Sequence, residues 1–423
     1  MSYIPHTDGD RESLLQTMGV GSLAELFRDV PEKVKIKELF SLPTPLSEPE
    51  LREELLALSQ KNTAPFFLGA GAYAHFIPSA VKQLVGRSEF YTSYTPYQAE
   101  ISQGMLQVTY EYQTMLCNLT GMDVANASLY DGATALAEAC FLACRVTGRK
   151  EVLVSSALHP EYRKVLKTYL AGADLRLREI PYAPSGTTES PEKYLSNQSA
   201  CFALQQPNFF GCIEPVRGLA EKIHAAGALF VACVDPISLG ILAAPGKYGA
   251  DLVVGEGQAL GNPAAFGGPG LGLFAAKKEC LRQLPGRIVG LTTDSSGKRA
   301  YCLTLQTREQ HIRREKAASN ICSNEALSAL AATIYLSLMG KAGLRKVAEL
   351  CLQKINYLKC ALAPLKKAVF SAPTFKELAI ESSQNIGLDL SLYYPERKGC
   401  RLIAITELTK KDALDKLISV LCQ

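Results

Sequence analysis

The sequence predicts an α/β protein built on a large, mostly parallel sheet, and two observations carry that expectation. Between about Asn62 and Glu315, short β-branched and apolar runs alternate with amphipathic helical patterns. This is the texture of strands buried on both faces and joined by crossover helices. The chain also has 423 residues, 47% of them hydrophobic and 20% charged, enough for a sizeable interior and for more than one domain.

Taken in order, residues 1–61 read as a helical N-terminal arm. Capping boxes are expected at Ser22 with Glu25 and at Ser47 with Glu50, Pro31, Pro43 and Pro45 interrupt the helices, and apolar positions are too few for a separate core. Residues 62–315 form the large α/β domain. Its first long helix lies in "QAEISQGMLQVTYEYQTMLCNLTG", where Ile101, Met105, Val108, Tyr112, Met115 and Leu119 make one stripe and Gly121 supplies the stop. Strands follow at "EVLVSS", "DLRLREI", "CFALQQ", "LFVACVD", "DLVVGEG" and "LGLFAA", with helices at "PEYRKVLKTYLAG" and "LAEKIHAAG". Residues 316–423 read as a small C-terminal α/β domain, opening with the helical "NEALSALAATIYLSLMGKAGLRKV" and closing with a strand and a helix capped at Thr409.

A net charge of +4 without long basic runs gives no reason to expect nucleic acid as a partner. Thirteen cysteines, an odd number without C-x-x-C pairs or a histidine cluster, point to reduced thiols and no metal. No basic-then-apolar leader is visible and no stretch is expected to span a bilayer, so the expectation is a cytoplasmic chain with no membrane partner.

Ligands of parallel sheets sit beyond the carboxyl ends of the strands, and three features stand there. "YDGATALAEAC", with Gly132 and Thr134, reads either as an anion site made from helix N-terminal amides or as a ligand-free N-cap. His159 in "SALHPEYRKV" reads either as a catalytic group or as a capping residue ahead of Pro160. Asp235 in "VACVDPISLG" ends a very apolar strand and must find a partner, reach the surface or shape a turn. The glycine-rich "DLVVGEGQALGNPAAFGGPG" fits neither the G-x-G-x-x-G fingerprint nor a P-loop.

In this order the three features resemble the contacts that hold pyridoxal phosphate in aspartate-aminotransferase-like enzymes, the fold type I pyridoxal-phosphate-dependent transferases. That resemblance implies a turn for the phosphate, a ring stacked on the pyridine and an aspartate at its nitrogen. It also implies a cofactor-binding lysine about twenty residues further on, where "GEGQALG" has none.

Longer strings sharpen the resemblance: "FLGAGAYAHFIPSAV", "EFYTSYTPYQAEISQGMLQVTYEYQTMLCNLTGMDVANASLYDGATALAEA", "VVGEGQALGNPAAFGGPGLGLFA" and "LTLQTREQHIRREKAASNICSNEAL". Over nearly its whole length the chain resembles the glycine cleavage system P-proteins, in particular subunit 1 of the two-subunit bacterial form, glycine dehydrogenase (decarboxylating). The resemblance implies an enzyme that binds glycine, releases carbon dioxide and passes the aminomethyl group to the lipoyl arm of H-protein. It further implies that pyridoxal phosphate is bound covalently in subunit 2 and that two copies of each subunit form a heterotetramer. The vacated lysine position then falls at Gln258 or Ala259, and Lys247, ahead of the strand, reads as a solvated surface residue. Vestigial cofactor contacts fall at Gly132, Thr134, His159 and Asp235.

Decarboxylation leaves an electron pair that the protonated pyridinium system takes up, and the site must stay dry. "YTSYTPYQAEISQG" is expected to supply one wall through Tyr94, Tyr97, Gln98, Glu100 and Gln103, or else to pack a subunit interface. Arg308, His311, Arg313, Arg314 and Lys316 in "TREQHIRREKAASN" read as a solvated helix face or as partner and substrate contacts. Two competing expectations are a non-enzymatic scaffold or metabolite-binding protein with a vestigial pocket, and a self-sufficient pyridoxal enzyme using Lys247 or another lysine.

Overall fold

The computed structural model describes residues 5–36, 40–62 and 67–422 and divides into two compact units, Met1–Ala64 and Pro65–Gln423. The arm boundary expected at 61/62 adjoins residues 63–66, which lie outside the described residues.

In the first unit, α1 (Asp8–Met18) begins at Thr7, whose hydroxyl and backbone N–H pair reciprocally with Asp10. The sequence reading missed that capping box. Ser22 starts only a 3-10 turn, Leu23–Phe27, and its hydroxyl reaches Glu25 at 3.4 Å. Ser47 does open a helix, α2 (Glu48–Ser59), with its N–H and hydroxyl both donating to Glu50 at 2.8 and 2.6 Å. No residue of these helices is buried.

The second unit begins with α3 (Ser79–Val85), α4 (Ser88–Tyr91) and α5 (Gln103–Thr120), which Gly121 ends at φ 70°. The buried face of α5 is Met105, Thr109, Tyr112, Leu116 and Thr120, joined by Leu106 and Gln113. This corrects the expected stripe, since Ile101 lies ahead of the helix and is exposed. Thr109 and Thr120, each next to an expected apolar position, join the buried face because their hydroxyls hydrogen-bond back to carbonyls four residues earlier.

Next come β1 (Val124–Ala125), α6 (Gly132–Thr147), β2 (Glu151–Ser155), α7 (Pro160–Ala171), β3 (Arg176–Ile180), β4 (Ser199–Gln206), α8 (Leu219–Ala225), β5 (Leu229–Val234), β6 (Leu252–Glu256) and β7 (Gly272–Ala276). They build a seven-stranded sheet in the order β1-β7-β6-β5-β4-β2-β3. Strands β2 to β6 are parallel, and β7 runs antiparallel to both β6 and β1. Strand β5 shows why the runs are apolar throughout: Phe230, Ala232 and Val234 enter one core while Val231 and Cys233 enter the other. A period of two with both faces covered leaves no polar position.

A hairpin of β8 (Ile288–Thr293) and β9 (Arg299–Thr304) precedes the short α9 (Gln310–Arg313) and the long α10 (Ala326–Leu362). Then β10 (Glu377–Glu381), β11 (Leu388–Asp389) and β12 (Cys400–Ala404) form a small antiparallel sheet in the order β10-β12-β11, followed by α11 (Lys411–Leu421). The residue ahead of α11 is Lys410, not Thr409, whose hydroxyl instead accepts the Thr406 N–H.

By length and composition α10 could cross a membrane, which overturns the expectation that no stretch is long enough. Part of its apolar surface is buried inside the protein, while Leu327, Leu338 and Tyr357 stay exposed. Leu330, Tyr335, Leu344 and Cys351 pack in the core of the large sheet, and Ile355, Leu358 and Leu362 in that of the small one. One helix thus serves both sheets across residues 316–423 and 65–315 alike, with a break at Gly340 (φ 55°).

Candidate functional site

The carboxyl ends of β2, β5 and β6 bring His159, Asp235 and Gln258 to one pocket, together with Gly71, Tyr73, Tyr162, Gln205, Glu256 and Ala259. Gly132 and Thr134 stand at the start of α6, outside the lining of this pocket, and all five predicted residues already have internal partners.

At the start of α6 the Asp131 carboxylate accepts the Thr134 N–H at 2.7 Å, and the Thr134 hydroxyl returns a bond to Asp131. The capping reading of that turn therefore describes it. The Gly132 N–H donates to Glu256 Oε2 at 3.0 Å, and Glu256 Oε1 accepts from Gln258 N at 2.9 Å and Leu271 N at 2.8 Å. Burial pushes the Glu256 carboxyl up, against the backbone N–H groups that favour its charge.

His159 is the N-cap of α7: its Nδ1 accepts the Glu161 N–H at 3.1 Å, which leaves Nε2–H to donate to Ala70 O at 2.7 Å. Burial holds this imidazole below its ordinary range. Asp235 accepts the Ile237 N–H at 2.9 Å and pairs with the buried Lys376, whose ammonium lies 3.4 Å from the Tyr73 ring centre. Gln258, at the expected lysine position, both accepts from Tyr73 N at 3.0 Å and donates to Tyr73 O at 3.1 Å, with a further bond to Asn262 O. Lys247 is exposed in the turn before β6, away from this pocket.

These residues do not fit a bound pyridoxal phosphate. A carboxylate holds the anion seat, a lysine holds the aspartate, and Gln258 and Ala259 offer no amine. The space left is about 30 Å3, room for a water or so, against roughly 300–1,000 Å3 for small-molecule sites.

A second cluster joins two segments that the sequence reading treated separately. Tyr97 lies edge-on to His311 with ring centres 5.6 Å apart, and its hydroxyl accepts from Arg287 Nη2 at 2.9 Å. Arg287 is buried and also donates to Cys322 O at 2.7 Å. Tyr94 is 84% exposed, and Gln98 and Glu100 are exposed as well. Gln103 differs from them: its amide exchanges hydrogen bonds with the backbone of Tyr301 in β9. Arg308 is likewise turned inward, donating to Leu284 O, Gly286 O and Leu305 O. His311, Arg313, Arg314 and Lys316 stay exposed.

Sequence reasoning missed Glu256, Tyr162, Lys376 and Arg287. Glu256 carried a signal, an acidic residue closing a buried strand, the same that marked Asp235. Lys376 carried none, because it comes from the turn before β10 in another part of the chain. His75, Cys351 and Glu407 also gather within 4.8 Å, held by a His75–Glu407 hydrogen bond of 2.7 Å. All thirteen cysteines are free.

The large sheet, the small C-terminal sheet and a pocket at the carboxyl strand ends define the fold type I architecture of pyridoxal-phosphate-dependent enzymes. A sphingosine-1-phosphate lyase of Burkholderia pseudomallei shares this fold with TM-score 0.64 at 14% identity, covering 93% of this chain and 94% of that one. The chain belongs to the glycine cleavage system P-protein family, whose profile matches residues 1–421. A protein of Desulforamulus reducens named "Probable glycine dehydrogenase (decarboxylating) subunit 1" is 52% identical over 438 residues, covering 99% of this chain and 98% of that one. A relative of the same name from Moorella thermoacetica is 50% identical, covering 100% and 99%. The crystal structure of a glycine decarboxylase (P-protein) of the glycine cleavage system, in inhibitor-bound form, matches with TM-score 0.88 at 42% identity, covering 100% and 99%.

Proposed function

We propose that this chain is subunit 1 of a glycine dehydrogenase (decarboxylating) of the glycine cleavage system, an enzyme subunit that is active only with its partner. The observation that carries the reading is a cofactor fold whose own pocket is filled, with Glu256 in the anion seat and Gln258 at the lysine position. Full-length similarity to proteins named as subunit 1 supports it.

In this reading pyridoxal phosphate is bound covalently in subunit 2, two copies of each subunit form a heterotetramer, and the assembly is cytoplasmic. Glycine is the substrate, and the lipoyl arm of H-protein receives the aminomethyl group. This chain's task is to close one wall of the partner's reaction channel and keep water out. The exposed Tyr94, Tyr97, Gln98 and Glu100 suit that wall, since Arg287 fixes Tyr97 from behind while leaving it 46% exposed. His311, Arg313 and Arg314, beside Tyr97 or following it in the chain, suit contacts to acidic groups of a partner.

The test is to purify the two subunits separately, mix them with lipoylated H-protein and measure glycine-dependent bicarbonate exchange. Activity should appear only in the mixture. Full activity of subunit 2 alone would overturn the reading and leave this chain a scaffold.

A further inference from the structure

We propose that Glu256 is a built-in substitute for a cofactor phosphate. Its carboxylate occupies the anion seat at the start of α6, and this side chain, over and above the lack of a lysine, keeps phosphate-bearing ligands out of the chain.

The start of a long helix offers unpaired N–H groups and the positive end of the helix dipole, which is why phosphates bind there. Here the Gly132 N–H is taken by Glu256 Oε2 and the Thr134 N–H by Asp131. The other oxygen of Glu256 binds Gln258 N and Leu271 N, the two ends of the glycine-rich loop after β6. A single carboxylate therefore joins the helix start to both ends of the loop that would face a cofactor.

Space and charge agree with this assignment. A Cβ placed on Gly132 would lie 2.4 Å from the Tyr162 hydroxyl and 3.0 Å from Glu256 N, so protein atoms already crowd the seat. A phosphate there would meet Glu256 and Asp131 directly, with Asp235 in the same pocket. Like charges at such distances away from bulk water repel strongly. Lys376, beside this pocket, is engaged with Asp235 and the Tyr73 ring.

The inference rests on the functional reading only in equating this pocket with the cofactor pocket of the fold, and its test does not use enzyme activity. The full-length chain, purified without subunit 2, is melted in increasing inorganic phosphate or pyridoxal phosphate, with chloride at matched ionic strength as the control. The wild type should show no phosphate-specific shift in Tm and no saturable binding in equilibrium dialysis. Glu256→Ala should melt several degrees lower and recover much of the loss in phosphate, saturably, but not in chloride. Glu256→Gln, which still fills the seat, should melt lower without recovery. Saturable phosphate or pyridoxal phosphate binding by the wild type would overturn the proposal, as would a folded Glu256→Ala chain that ignores phosphate. Should Glu256→Ala not accumulate in folded form, its refolding yield in phosphate against chloride reads the same question, and equal yields overturn it. Failure of the mixed subunits to exchange bicarbonate would count against the functional reading and leave this result standing.

Discussion

The His159 imidazole stacks on the Tyr162 ring, with ring centres 4.6 Å apart and planes 21° from parallel. One face of the imidazole is thus covered by a side chain from the first turn of the helix it caps. Tyr162 also carries its hydroxyl to the start of α6, where only a glycine leaves room for it.

Gly132→Ala should therefore destabilise the chain by about 1–3 kcal/mol, the range for overpacking a filled site. Tyr162→Phe removes the clashing hydroxyl and should recover part of that loss in the double variant. Urea unfolding of the two single variants and the double one checks this, and strict additivity would show that the two residues do not interact.

Gln258→Lys restores an amine at the expected lysine position, yet it should not yield a self-sufficient enzyme. The substitution removes an amide that bonds both the N–H and the C=O of Tyr73, so a loss of about 1–3 kcal/mol is expected from the buried groups left unpaired. Borohydride reduction in the presence of pyridoxal phosphate, followed by peptide mapping, should find no label at this position, and the isolated variant should not exchange bicarbonate.

Tyr97 and Arg287 should separate by readout. Arg287 is buried and donates to Cys322 O as well as to Tyr97, so Arg287→Ala should lower both Tm and the exchange activity of the mixed subunits. Tyr97→Ala should leave Tm nearly unchanged and still reduce exchange. Unchanged exchange in Tyr97→Ala would remove this residue from the proposed wall.

Glu138 should make stability depend on pH. It is buried in α6 with Oε2 unpartnered, and burial pushes its carboxyl from 4.5 up to about 6, while the Ser319 hydroxyl and Arg145 pull the other way. Between those values the folded chain holds a proton that the unfolded chain has released, so stability falls as pH rises. The contribution is complete below pH 4.5 and is lost as pH passes through about 6, amounting to about 2 kcal/mol at 1.36 kcal/mol per unit. Glu138→Gln should abolish that part of the slope, as unfolding free energies measured across this pH interval would show.

The large sheet was legible because each of its core strands is buried on both faces and so is written as an uninterrupted apolar run. The helix start at Pro160 was legible because proline at the first helical position is a local signal, and the turn at Gly121 because a left-handed residue closes α5. The stripe on α5 was misplaced because it was read from hydrophobicity alone. Thr109, Gln113 and Thr120 are buried polar residues that satisfy themselves through hydrogen bonds, and periodicity of apolar residues cannot register them.

The sequence by itself determined that His159, Asp235 and Gln258 reach one pocket, because each follows a parallel strand by a few residues and strand direction places them at one edge. It also determined that no lysine stands at the vacated position. Only the tertiary structure decided what those residues do there. Glu256 meets Gly132, Lys376 meets Asp235, and Tyr97 meets Arg287 and His311 across long separations in the chain. Strand and helix signals are local, arising from backbone sterics and the period of burial, whereas the partner of a buried charge is chosen by whichever distant side chain the packed fold brings within bonding distance.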